Sequence, residues 1–472
     1  MASVRGRSRA WLARVSVAVL ACAAFGTGLA VGNSAPSRPS LFTAAPVGVR
    51  VIEEGPSGFA AIGDVILFAA KTDAEGRELW RTDGTRGGTR LVRDISPGER
   101  SSNPLGVPLG DVFVFAARDG RHGEELWRSD GTRRGTFLLE DIKPHGQNAG
   151  DWSFSTATDD GRVFFTADDG RHGEELWVTD GTQRGTHLVR DIDRTPGEST
   201  GYHDQPRELT VVGERVFFAA SDGVHGVELW VSDGSRVGTR MVADIDPGPP
   251  TGDIRDRLSW LTAAGERIFF VADDGVHGPE LWVSDGTATG TVMSRQIRDG
   301  RRSSRIEQIT ALGDRVVFSA TTPIHGKEPW VSDGTPGGTM MLADIAEGDR
   351  NSIPYQPVVA RGRVFFTAHD ADRRAELWST DGTSTGTRLV KEFPSDTPCG
   401  MAPVAAIGGI VFLEGCTLWE SDGTERGTIK VGGGPSASRE YGVLSDVLLF
   451  QNETDAGRGS LWSATPITHV GG

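Results

Sequence analysis

The stretch Glu78-Leu79-Trp80-Arg81-Thr82-Asp83-Gly84-Thr85 decides the fold, because the chain repeats it. It recurs as Glu125 to Thr132, Glu175 to Thr182, Glu228 to Ser235, Glu280 to Thr287, Glu328 to Thr335 and Glu376 to Thr383. Degenerate copies follow at Thr417 to Thr424 and around Leu461-Trp462-Ser463. The motif tryptophans, Trp80, Trp127, Trp177, Trp230, Trp282, Trp330, Trp378, Trp419 and Trp462, lie 41 to 53 residues apart. That period is the length of one four-stranded propeller blade.

Strands are legible on either side of the motif. In the fourth copy, Leu209 to Gly213 reads as strand A, Arg215 to Ala220 as B, Glu228 to Asp233 as C and Thr239 to Ile245 as D. Each is short and bounded by glycine or Asp-Gly, and no segment keeps a helical period. Strand C turns Glu228, Trp230 and Ser232 one way and Leu229 and Val231 the other, so both faces carry apolar groups. Such a sheet must be covered on both sides. An all-β single propeller supplies that cover, since every blade packs between two others. A fully buried tryptophan removes about 150–250 Å² from water, worth roughly 4–6 kcal/mol before entropy. Packing is therefore the expected role of the nine motif tryptophans.

The chain ends predict how the ring closes. Gly48 to Glu54 lines up with the strand D segment Gly88 to Asp94, yet it precedes any A, B or C strand. Tyr441 to Leu449 and Ser460 to Ser463 read as strands A to C with no Asp-Gly-Thr turn after them. The two ends are expected to complete a ninth blade and so remove an open, aggregation-prone edge. Ile467 to Val470 is the competing last strand. The reading places a linker over 36–46, the propeller over 47–466 and a tail over 467–472.

The N-terminus carries Arg5, Arg7, Arg9 and Arg14, then runs without charge from Val15 to Val31 into the small and polar stretch Gly32 to Ser40. This is a secretory signal pattern over residues 1–35, with an uncleaved anchor as the alternative. The lipoprotein reading of Val19-Leu20-Ala21-Cys22 is weaker, because the apolar stretch continues past the cysteine. Cleavage takes away four arginines and no acid, moving the net charge from −15 to −19. Such a surface repels nucleic acid and anionic lipid, so membrane contact is expected only through an uncleaved anchor. A secreted, periplasmic or cell-surface monomer is expected. Cys399 and Cys416 are then the remaining cysteines, a pair that an exported chain can oxidise to a disulfide.

The motif resembles the ELWxxDGT repeat proteins of bacteria over essentially the whole mature chain. The resemblance implies an exported β-repeat protein and transfers no catalytic residue. The departures are Pro329 for Leu, Ser235 for Thr, Thr417 for Glu, and the loss of Asp-Gly-Thr after Trp462.

The recurrent polar residues read as turn chemistry. Asp-Gly-Thr-x-x-Gly-Thr, as in Asp180 to Thr186, sits where strand C reverses into D, and aspartate and glycine both favour such a turn. Between B and C lie Asp119 to Gly123, Asp168 to Gly173, Asp222 to Gly226 and Asp273 to Gly278. The paired acids Asp168 and Asp169 admit a calcium reading, but one loop supplies too few oxygens. No cofactor or metal is expected. His122, His172, His225, His277 and His325 recur at one position in separate blades and cannot converge on one ion. They are read as turn or blade-contact residues.

Function is sought where the copies differ. The D to A connections vary most, as in Lys143 to Asp151, Asp193 to Arg207 and Asp246 to Leu258, and they share a face with the B–C loops. Outside the motif the mature chain has two tryptophans and three tyrosines, Trp152, Tyr202, Trp260, Tyr355 and Tyr441, all shortly before a B strand. They are the candidate ligand-binding aromatics at one mouth of the channel. The expected function is a non-enzymatic binding or scaffold propeller recognising a glycan, a peptide or an envelope protein on the face of the D–A and B–C loops. The alternatives are a polysaccharide hydrolase or lyase, needing paired carboxylates from among Asp204, Asp253 and Asp256, and a calcium-dependent adhesive module.

Overall fold

The computed structural model describes residues 42–50, 56–72, 74–194, 205–247, 258–393, 401–415, 417–431, 437–444, 446–453 and 459–466. The chain divides into the units Met1–Ser34 and Ala35–Gly472; the first lies outside the described residues, as do the signal segment, the tail, Tyr202, Cys399, Cys416, Asp204, Asp253 and Asp256.

The described part of the second unit is all-β, without a helix, and forms a nine-bladed propeller of antiparallel sheets. Blade 4 is representative. Strand A is Arg207–Val212, B is Arg215–Ser221, C is Val227–Ser232 and D is Arg240–Ala243. Apart from blade 3, which has no regular A strand, consecutive A strands touch around the ring, from Ser57–Ile62 of blade 1 to Ala437–Leu444 of blade 9 and back, so A is the inner strand.

Alternation along strands B and C builds the cores. Phe217 faces blade 5 with Leu229 and Val231, while Phe218 and Trp230 face blade 3. The same division recurs, giving one apolar cluster between each successive pair of blades. The ninth cluster joins Leu449 and Leu461 of blade 9 to Ile66 and Phe68 of blade 1. Each motif leucine thus packs forward and each motif tryptophan backward. Trp127, Trp177, Trp230 and Trp330 are buried, whereas Trp80, Trp282, Trp378, Trp419 and Trp462 are half-buried, less than full burial would give.

Closure occurs through the N-terminal strand, with a shifted boundary. The sheet of blade 9 contains Ala437–Leu444, Val447–Glu453 and Gly459–Pro466, and its fourth strand is Phe42–Arg50. Phe42 pairs with Pro466, Ala45 with Ser463 and Arg50 with Ser460. The closing strand therefore starts six residues before Gly48, and the linker expected over 36–46 loses its last five residues to it. The cause is the length of the final C strand: it runs through Pro466, and its ladder draws residues 42–46 into register.

Two blades depart from the pattern. Blade 3 has three regular strands, Val163–Asp168, Glu174–Thr179 and His187–Arg190, and its inner position holds the Ser/Thr-rich segment 153–158. There hydroxyls take over ladder bonds: Ser155 Oγ accepts Phe164 N–H at 3.0 Å and Thr166 Oγ1 accepts Ser153 N–H at 2.9 Å. In blade 6, Pro329 has no N–H to offer strand D, which shrinks to Met340–Met341.

Candidate functional site

The C–D turns are latches. Asp83 Oδ1 accepts Thr85 N–H at 2.9 Å and the Thr85 hydroxyl at 2.6 Å, and the Thr85 hydroxyl pulls Asp83 below the ordinary carboxylate range. A Cβ at Gly88 would collide with that carboxylate, which explains the second glycine of the motif. The turn then receives an arginine from an earlier blade: Arg267 Nη1 donates to Asp333 O at 2.9 Å, Arg315 Nη2 to Asp381 O at 3.2 Å and Arg128 Nη1 to Gly181 O at 3.0 Å. Arg267 also lies over the Phe269 ring. These clasps commit the C–D side to holding the ring together.

The opposite side carries the B–C and D–A connections, which touch. A Cβ on Gly278 in the B–C loop of blade 5 would lie 2.6 Å from Arg301 O in the following D–A connection, and Gly76 and Gly326 abut Arg100 and Arg350 in the same way. Asp119 Oδ1 accepts N–H from Arg121 and His122, both at 2.8 Å, while its Oδ2 meets His122 Nδ1 at 2.6 Å. Asp169 with His172, Asp222 with His225 and Asp274 with His277 repeat this; His325 turns instead to Asp344 at 2.9 Å. Each histidine is thus tied within its own blade. Asp168 and Asp169 diverge, the first to Lys143 and the second to His172. Among the described residues no group of three His, Cys, Asp or Glu side chains is placed to hold a metal ion.

The motif glutamates have a role that sequence reading missed. Glu78, Glu125, Glu175, Glu228, Glu280, Glu328 and Glu376 are buried. Glu78 accepts N–H from Ile95 at 2.9 Å and from Ser96 and Ser102 at 3.2 Å, fixing the start and end of the D–A connection. Burial pushes Glu78, Glu228, Glu280 and Glu328 up to about 7 and Glu125 and Glu175 up to about 8. Their recurrence on the tryptophan face of strand C was the available signal.

The four candidate aromatics among the described residues do not form one platform. Trp152 stacks on Phe154 and Phe165, with centroids 5.8 Å away in each case, half-buried against the core between blades 2 and 3. Tyr355 donates to Met401 O at 3.0 Å and stacks on His369. Tyr441 donates to Glu414 Oε2 at 2.8 Å and packs against the core between blades 8 and 9, and burial raises its phenol. Trp260 is half-buried on the inner strand, at a bulge with φ of 60°, and packs against the core between blades 5 and 6. Glu208, Gln308 and Gln356 hold the same bulge register in blades 4, 6 and 7, with φ of 58°, 60° and 49°. Glu208 is solvent-accessible, and desolvation raises its carboxyl, with Arg207 and the backbone of Leu261 and Trp260 pulling the other way. Gln308 Oε1 accepts Gln356 N–H at 3.2 Å. The bulges had no sequence signature apart from Gly58, which occupies the register in blade 1 with φ of 65°.

No family model matches the chain, and no curated protein matches it. Among solved structures it is similar to BamB from Moraxella catarrhalis at 15% identity and a TM-score of 0.38, covering 89% of this chain and 99% of that one. It is similar to the β-propeller domain of the Trilobed protease from Pyrococcus furiosus, which has an open velcro topology, at 11% identity and 0.35, covering 71% and 97%. A prolyl endopeptidase aligns at 11% identity and 0.41 over 78% of this chain. The chain spans 55% of that endopeptidase and 58% of a puromycin hydrolase S511A mutant that it also matches.

Proposed function

We propose that the protein is an exported, non-enzymatic binding or scaffold propeller whose B–C and D–A face recognises a glycan, a peptide or an envelope protein. The observation that carries this is the division of labour between the two faces. The C–D turns are spent on repeated Asp-Gly-Thr bonds and arginine clasps, while the B–C loops meet the D–A connections on the other side, and the D–A connections differ from blade to blade. The two carboxyls most displaced by burial, Glu125 and Glu175, cap backbone N–H groups inside single blades, a structural use of a perturbed group. The ELWxxDGT resemblance, the apolar N-terminal segment and the acidic charge support export. Among the described residues no helix is long and apolar enough to cross a membrane.

The test is a glycan array probed with the chain lacking residues 1–35, beside Trp260→Ala and Trp152→Ala. Binding without turnover that falls about tenfold in Trp260→Ala supports the reading. Cleavage of a bound oligosaccharide puts a polysaccharide-active enzyme in its place.

A further inference from the structure

Four successive blades carry an unexpected residue at one place on the inner strand. Strand A is bulged after Arg207, Ser259, Glu307 and Tyr355, and the first bulge position holds Glu208, Trp260, Gln308 and Gln356, with φ of 58°, 60°, 60° and 49°. Blade 1 puts Gly58 there, and strand A of blade 2 has no bulge. Glycine enters the left-handed region freely, whereas a residue with a side chain is strained in it. Four long side chains kept against that strain in neighbouring blades mark a place where the side chain itself is needed.

The four positions adjoin one another. Between blades 4 and 5, Thr210 Oγ1 donates to Leu261 O at 3.3 Å, and the Glu208 carboxyl lies close to the backbone of Trp260 and Leu261. Between blades 5 and 6, Thr262 Oγ1 meets Ile309 O at 3.5 Å; between blades 6 and 7, Gln356 N donates to Gln308 Oε1 at 3.2 Å. They also share a depth in the ring. Arg207 pairs with Ala219 just before strand B ends at Ser221 and passes into the B–C loop, so the bulges sit toward the channel mouth on the B–C and D–A side. Glu208 and Gln356 are exposed there, and Trp260 and Gln308 are half-buried.

We infer that this arc binds a neutral saccharide, with the apolar face of a sugar ring on Trp260 and its hydroxyls held by Glu208, Gln308 and Gln356. A sugar hydroxyl both donates and accepts, and a side-chain amide answers it in both senses. An aromatic surface beside a few fixed polar groups gives such a ligand one orientation. Charge does not select the ligand: the charged residues on the four A strands are Arg207 beside Glu208, and Glu307 paired with Lys327 at 2.6 Å, while the A strands of blades 5 and 7 add none. Nor is there a free strand edge for a peptide backbone to join, since the Gln356 N–H is already taken by Gln308.

The inference rests on the proposal that the B–C and D–A face binds ligands, and it names the ligand class and the residues. Cellotetraose, maltotetraose and chitotetraose, with an acidic oligogalacturonide for comparison, are titrated by saturation-transfer NMR into the chain lacking residues 1–35 and into Trp260→Ala, Glu208→Gln and Gln356→Gly. Binding of a neutral tetrasaccharide is expected, with saturation reaching its ring C–H protons and no response to added salt. Affinity should fall about tenfold or more in Trp260→Ala and Gln356→Gly. Gln356→Gly also relieves the left-handed backbone, so its melting temperature should equal or exceed that of the wild type; a structural role for Gln356 predicts a lower melting temperature with affinity intact, and that result overturns the arc. A neutral saccharide held equally well by wild type and all three variants also overturns the arc and leaves the face reading standing. Binding of the acidic oligosaccharide alone overturns the neutral class. Absence of binding by any of these sugars overturns the arc, and peptide or envelope-protein binding then decides the face reading by itself.

Discussion

Glu78 Oε2 accepts the Ser102 hydroxyl at 2.7 Å, joining strand C of blade 1 to the segment that leads into blade 2. Both groups are fully buried. The same bond recurs between Glu280 and Ser304 at 2.8 Å and between Glu328 and Ser352 at 2.7 Å. In each case the next residue, Asn103, Arg305 or Ile353, takes a φ of 50° and turns the chain inward. Ser102→Ala leaves one oxygen of a buried carboxylate short of a donor and is expected to destabilise the protein by about 1–3 kcal/mol. Denaturant unfolding measures the loss, and amide exchange should rise first around residues 95–103.

Stability is expected to fall as pH rises above neutrality. Burial holds Glu125 at about 8 and Glu78 at about 7, against an ordinary value of 4.5. A folded value above the unfolded one means that the contribution is complete below about 4.5 and disappears as pH climbs through 7 and 8. Melting temperature should therefore decline between about pH 5 and about pH 9. Glu125→Gln keeps an acceptor for Ile142 N–H and removes one titration, so its decline should be shallower, by a few kcal/mol at most for one group. An identical slope in wild type and variant would contradict this.

Pro329→Leu should stabilise the ring. The other six full copies bury a leucine at this position, whereas Pro329 borders a small cavity between blades 6 and 7, beside Phe318, Pro354, Tyr355 and Phe366. Leucine fills the space and returns an N–H toward strand D, for a gain of roughly 1–2 kcal/mol. Calorimetry should show a higher melting temperature. A decrease would mean that the neighbouring prolines have closed the site to a larger side chain.

Removing residues 42–50 should open the ring. The deletion strips the partner from Gly459–Pro466 and exposes Leu449 and Leu461 of the closing core. An unpaired strand edge invites pairing between chains. Light scattering should detect oligomers or aggregates, and adding the peptide of residues 42–50 should suppress them. A truncated chain that stays monomeric with an unchanged melting temperature would refute closure by this strand.

The blade was legible because it is local. The spacing of nine tryptophans, the two-sided alternation of strand C and the Asp-Gly-Thr turns each act over a few residues, and repetition multiplied the signal. The orphan strand at one end and the incomplete blade at the other announced closure, although the extent of Phe42–Arg50 followed from a partner strand more than 400 residues away. The candidate site was legible only in outline. Trp152, Trp260, Tyr355 and Tyr441 look alike in sequence, yet one lies in an aromatic stack, one on an inner bulge and two have their hydroxyls committed to neighbouring blades.

Sequence by itself therefore determined the unit, its turns and the number of copies, all of which are written in periodicity and short-range bonding. Tertiary structure alone decided that the motif glutamate is a buried cap, that arginines clasp the next turn, and which residues take the inner bulges. Those facts depend on which residues distant in the chain meet when blades pack side by side, and one copy read by itself has no neighbour to reveal them.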